Sequence, residues 1–139
     1  MMKIINFFDY IFYRIYHQYK FKWGENVPGS YAVSIVTLLQ NSTGIILLFI
    51  YEIITKNYIN FEKKYVIGVL LILFIFNILR YFKITSYDKL SEKWGNEEKT
   101  KHRKRGVLVL CYIIITLLTT LALAIIVGEL NIRNMLIKN

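Results

Sequence analysis

Three long apolar runs, Tyr31 to Ile54, Tyr65 to Phe82 and Val107 to Leu130, take up nearly half of the 139 residues and decide what the chain can become. They hold 24, 18 and 24 residues. A helix rising ~1.5 Å per residue needs roughly 20 apolar residues to cross a hydrocarbon core ~30 Å thick. Charge is confined to their ends, with Glu52, Arg80 and Glu129 near the edges, where a long side chain such as that of Arg80 can snorkel to the surface. The first run carries 13 Leu, Ile, Phe and Val residues. Each contributes about −0.3 to −0.6 kcal/mol at a helix centre, which outweighs the mid-run Gln40 and Asn41.

Folding these runs into a water-soluble globule would leave too little polar surface, since 55% of the residues are hydrophobic. With one Pro and no low-complexity linker, residues 1–139 read as one domain. The expected fold is all-α. It is a three-helix transmembrane bundle with an N-terminal amphipathic interfacial helix over residues 1–24, spans at 31–54, 65–82 and 107–130, and a cytoplasmic helical-hairpin extension in the basic loop 83–106.

The basic residues give this arrangement a direction. Of 18 Lys and Arg, thirteen fall on one side, in the N-terminal segment, at Arg80 near the end of the second run and in the loop after it, and five on the other. Such a bias predicts a cytoplasmic N-terminus and second loop and an external C-terminus. Nothing near Met1 resembles a cleavable signal, because Ile4 to Phe8 is interrupted by Asn6 and followed by Asp9 and Arg14, so this segment is expected to stay in the mature protein.

Met1 to Trp23 has helical periodicity. Ile4, Ile5, Phe8, Ile11, Phe12, Ile15, Tyr16, Tyr19 and Trp23 share one face, and Lys3, Asn6, Asp9, Arg14, His17 and Lys20 the other. A helix lying in the headgroup region has this pattern, and so does one packed on the protein's own loop. The motif Lys22-Trp23-Gly24-Glu25-Asn26 is echoed at Lys93-Trp94-Gly95-Asn96-Glu97. Each Gly is expected to end a helix in a left-handed cap and each Asn to cap the next, with Trp23 and Trp94 as interfacial anchors.

A stripe of Ile84, Tyr87, Leu90 or Ser91, and Trp94 predicts that the second span continues as helix to Gly95, the third beginning near Glu97. Between them, Lys101, Arg103, Lys104 and Arg105 flank His102 immediately before the last run. They are candidate contacts for anionic lipid headgroups, each attracted by about 1 kcal/mol, or simple topology anchors. The cluster is short and carries no recognised nucleic-acid motif, so no nucleic-acid partner is expected.

Inside the runs the polar residues form a layer of Gln40, Asn41, Ser42, Thr43, Asn77 and Thr119, beside Thr116 and Thr120. In lipid such groups seek partners on neighbouring helices, at about 0.6 to 2 kcal/mol each, or line a hydrated path. Thr116, Thr120, Ala124 and Gly128 recur every four residues as a small-residue ridge for close helix packing.

The chemical signatures are negative. The histidines, His17 and His102, and the single Cys111 make no metal-ligand set, and no Gly-rich phosphate loop or Ser-His-Asp set is present. No cofactor and no enzymatic activity are therefore expected. The aromatic N-terminal segment, Lys22-Trp23-Gly24-Glu25 and the charged loop before the last run resemble small multipass membrane proteins of bacteria with Ile-, Lys- and Asn-rich proteomes. That resemblance implies a bacterial inner membrane and no particular activity. The expected role is a membrane interaction protein, an accessory, immunity-type or regulatory subunit whose partner is another membrane protein or itself. The alternative is a homo-oligomeric membrane pore or channel, of the kind a membrane-disrupting defence effector forms.

Overall fold

The computed structural model describes residues 4–56 and 63–138, with side chains for 6–56 and 64–133. Helix α1 (Ile4–His17) runs into a π-helical turn (Gln18–Lys22), and α2 (Pro28–Thr55) follows. Helix α3 (Lys63–Leu79) ends in a second π-helical turn (Arg80–Ile84), after which come the short α4 (Tyr87–Trp94) and the long α5 (Lys99–Lys138). The described chain is all-helical, and three helices are long and apolar enough to cross a membrane: Pro28–Thr55, Lys64–Ile84 and Lys99–Arg133. These suggest an integral membrane protein. The 40 residues of α5 make a rod ~60 Å long, twice the ~30 Å hydrocarbon core, so part of it must project from any bilayer it crosses.

Local chemistry explains most of the boundaries. Pro28 opens α2 at its first turn, where its missing N–H costs nothing. Gly24 takes the left-handed conformation expected of it, with φ +68°. Gly95 does not, since its φ is −63°. What Gly95 supplies is room, because a Cβ there would run into the Ser91 carbonyl oxygen that its own N–H meets at 2.6 Å. The expected Asn26 cap does not form at α2, whose N-cap position is Val27 without a side-chain bond, and α5 begins only at Lys99, three residues after Asn96.

The helix expected to continue to Gly95 is broken instead. At Arg80 the ladder widens so that the Thr85 N–H reaches the Arg80 carbonyl at 2.7 Å, and Ser86 is then extended (φ −64°, ψ 158°) before α4 begins. Thr and Ser hold helical conformation weakly because their side chains compete for the backbone.

Helix α1 lies at the centre of the packed core rather than apart from it. Tyr10, Ile11, Phe12 and Tyr13 are 1%, 0%, 2% and 3% exposed. Successive helical residues point about 100° apart, so four buried in a row mean that the helix is enclosed on every side. This corrects the picture of a surface helix with a free polar face; α1 does pack on the loop, through α4, but it packs more extensively on α2. Its aromatic rings meet three other parts of the chain: Phe12 stacks on Tyr81 at 4.1 Å, Tyr10 stands edge-on to Trp94 at 5.2 Å, and Phe7 stands edge-on to Tyr112 at 4.9 Å. Such pairs add about 0.5–1.5 kcal/mol beyond their burial.

Helix α2 is the common partner of α1, α3 and α5. Its small residues Ala32, Val33 and Val36 are fully buried in the same core cluster as Tyr10 to Tyr13 of α1. Gly29 extends this surface, its vacant Cβ position lying 3.0 Å from the Phe82 ring.

Trp94, expected at the membrane interface, is another correction. It is 6% exposed, buried against Tyr10 and Tyr13. Trp23 remains 56% exposed.

If α1 is core, truncating its buried rings removes packing that nothing else replaces. Phe12→Ala should lower unfolding free energy in detergent by about 3–5 kcal/mol, whereas Phe21→Ala, at a ring that is 61% exposed, should stay within about 0.5 kcal/mol. Equal effects of the two would refute the burial of α1.

Candidate functional site

The residues with chemical character gather where α1 meets the π turn of α3, α4 and the start of α5. Asp9 is the first anchor. Arg80 grips its carboxylate with both a bidentate pair from Nη2, at 2.8 and 2.9 Å, and a longer bond from Nε at 3.2 Å. The π turn carries Arg80 and the ring of Tyr81 that stacks on Phe12. So Arg80, at the end of an apolar run, does not snorkel into solvent; it closes an ion pair with α1.

A second network joins α1 to α5. The Tyr10 hydroxyl donates to Glu97 Oε2 at 3.2 Å, and Arg105 pairs with Glu97 from the other side while lying over the Tyr10 ring. Burial pushes the Tyr10 hydroxyl up to about 12, opposed mainly by Arg14, so it stays a neutral donor to the acid. Arg14 donates to His102 Nε2, whose other nitrogen faces Glu97 at 3.8 Å. This requires the Nδ1-protonated tautomer. Gly106 makes the approach of Arg14 possible, since a Cβ there would occupy the space of its guanidinium.

Four cations were expected to serve anionic lipid, and the structure separates them. Arg105 is committed to Glu97, and Lys101 lies 3.8 Å from Glu98 in an exposed pair of little energetic weight. Arg103 and Lys104 are exposed.

The polar layer is also divided. Asn77 is fully buried and donates to Thr37 Oγ1 at 2.9 Å and to Gln40 Oε1 at 2.7 Å, tying α3 to α2. Thr43 meets the Tyr112 hydroxyl at 2.7 Å and ties α2 to α5. Asn41 and Ser42 are buried on α2, while Thr119 is half-buried. Thr120 bonds back to the Thr116 carbonyl at 2.8 Å within its own helix. The small-residue ridge splits in the same way. Thr116 is buried in the bundle, Thr120 is half-buried, Ala124 is exposed, and Gly128 has open space at its Cβ position.

Several participants were invisible to periodicity alone. Tyr10 and Tyr13 sit between the two faces assigned to α1, and Glu97 lay inside a loop motif. Among the described residues no three His, Cys, Asp or Glu side chains converge as a metal site. Comparison with protein-family models, with curated proteins and with solved structures found no match.

Removing Asp9 strands a half-buried guanidinium. Asp9→Asn should cost about 2–4 kcal/mol of stability, less than full burial would give because Arg80 keeps some solvent contact. Asp9→Asn combined with Arg80→Met should recover much of that loss; a double variant as unstable as the sum of both singles would refute the coupling.

Acid should loosen the same end. His17 Nδ1 meets the Tyr87 hydroxyl at 2.9 Å, and burial, with help from Arg14, lowers the His17 pKa below its ordinary value. The unfolded chain therefore takes up the proton more readily. The contribution of His17 is complete above about pH 6.5 and declines as pH falls toward its lowered value. Protection factors of amides around residues 13–20, corrected for the intrinsic exchange rate at each pH, should fall from pH 7.5 to 5, and His17→Gln should flatten that fall.

Proposed function

We propose that this is a non-enzymatic integral membrane interaction protein, with α1, α4 and the start of α5 on the cytoplasmic side. The observation that carries this reading is how its polar groups are used. Asp9, Arg80, Asn77 and Thr43 each bind a partner on another helix or its π turn, and Glu97, in the turn before α5, takes Tyr10 from α1 and Arg105 from α5, so this chemistry is spent on fixing helix positions. A scaffold of this kind offers shape and apolar surface to a partner, either another membrane protein or a second copy.

The basic bias of thirteen to five residues supports the orientation. The pore reading needs mid-span polar groups facing a conduit, whereas Asn77 is 0% exposed and bonded within the chain. Ala124 and Gly128, open on α5, are the natural contact for a neighbouring helix.

Two measurements test this. On a Cys111→Ala background, Asn96→Cys should be protected from impermeant thiol reagents in intact cells; labelling from outside would reverse the orientation. Mass measured in lipid nanodiscs should show association that Ala124→Ile with Gly128→Ile abolishes while changing stability by no more than about 0.5 kcal/mol. A steady conductance of the wild type in planar bilayers would replace the interaction reading with a pore.

A further inference from the structure

Arg14 differs from the other half-buried guanidiniums at this end of the bundle. Arg80 has Asp9 and Arg105 has Glu97, but among the described residues Arg14 has no carboxylate within ion-pair distance; its partner is the imidazole of His102. One acid, Glu97, thus serves two guanidiniums, Arg105 directly and Arg14 only through His102. The excess positive charge is half-buried, and a half-buried cation without a counter-ion is costly unless an anion reaches it.

Beside Arg14 opens a cleft of about 570 Å³ between the end of α1, α2 and α5, within the ~300–1,000 Å³ typical of ligand sites. Its mouth carries Arg14, Gln18 and the exposed indole of Trp23. Its walls are aliphatic, formed by Ile35 and Leu38 from α2 and by Leu110, Ile113 and Leu117 from α5. The cleft is therefore amphiphilic along its length: a cation and an aromatic rim at one end, and hydrocarbon between two span-length helices at the other. Gly106, also in the lining, leaves room for the guanidinium there.

We propose that this cleft binds one anionic glycerophospholipid, its phosphate on Arg14 and an acyl chain between α2 and α5. The proposal rests on α2 and α5 spanning the bilayer, which delivers the lipid laterally. It is distinct from general attraction by the exposed Arg103 and Lys104, because it places the anion at a fixed site with a hydrocarbon wall. The occupant is a bilayer lipid and not a soluble phosphate, since the aliphatic walls would otherwise be left unfilled.

Quenching of tryptophan fluorescence by lipids with brominated acyl chains tests it, using the full chain in nanodiscs of phosphatidylcholine doped with a minor fraction of brominated lipid. Brominated phosphatidylglycerol should quench with about tenfold or greater preference over brominated phosphatidylcholine, the effect of a charge-assisted bond. Arg14→Gln should remove that preference, and Arg103→Gln with Lys104→Gln should leave it. Leu38→Phe with Leu110→Phe fills the cleft from two exposed positions without altering charge, and should also reduce the preference. That arm decides the matter even if Arg14→Gln fails to fold. Equal quenching by the two lipids in the wild type would overturn the site. So would a preference that survives Arg14→Gln or cleft filling, or one that depends only on Arg103 and Lys104. Failure of the wild type to enter nanodiscs would sink the membrane reading itself, whereas entry without preference would sink the lipid site alone.

Discussion

An arginine at the end of an apolar helix must find an anion or reach water, and the way Arg80 is satisfied sets the architecture around it. Its partner is Asp9, on a helix far away in sequence, so satisfying Arg80 means bringing α1 against the end of α3. The π-helical turn Arg80–Ile84 adds a residue to that turn, and the neighbouring Tyr81 stacks on Phe12 beside the ion pair. The electrostatic contact and the aromatic contact are thus consequences of one local distortion. Buried ion pairs seldom add much net stability, yet breaking one is expensive, so their value lies in rejecting misplaced partners. Here the rejected alternative is an α1 that floats free of the bundle.

With α1 fixed, the remaining contacts follow by geometry. Its far side presents Tyr10 and Tyr13 to Trp94, which holds α4 against the core. Tyr10 then reaches Glu97, the acid that organises Arg105 and His102 at the start of α5. On α2, Gly29 leaves room for the Tyr16 ring of α1, and Ala32, Val33 and Val36 are buried in the shared core. Further along, the spans are joined by a few amide and hydroxyl bonds, chiefly Asn77 to Thr37 and Gln40 and Thr43 to Tyr112. The result is asymmetric: a dense aromatic and ionic end, and longer apolar helices with broad exposed faces.

The sequence made the three span-length helices legible because length and apolar content report on them directly, residue by residue. The helicity of α1 was legible for the same reason, from its period. Its surroundings were not. Periodicity separates an apolar from a polar face but cannot tell lipid or water from a polar protein partner, and Asp9, Arg14 and His17 look alike in either setting. Trp94 was misplaced for a related reason, since an indole suits both a headgroup layer and an aromatic core. The break at Thr85–Ser86 was hidden by the helical spacing of Tyr87, Leu90 and Trp94, which is genuine but belongs to a separate helix. Glu97 and Gly106 matter through residues nearly ninety positions away, a relation that no local pattern contains.

The account depends most on α1 being an enclosed part of the fold. Hydrogen–deuterium exchange of residues 4–17 in lipid nanodiscs measures that directly, because backbone amides in a core helix open only with the surrounding structure. Protection of this segment should match that of residues 28–42 in α2 and should already be present in neutral lipid. Fast exchange of residues 4–17, or protection that appears only with anionic lipid, would show a helix resting on the membrane surface and contradict the account.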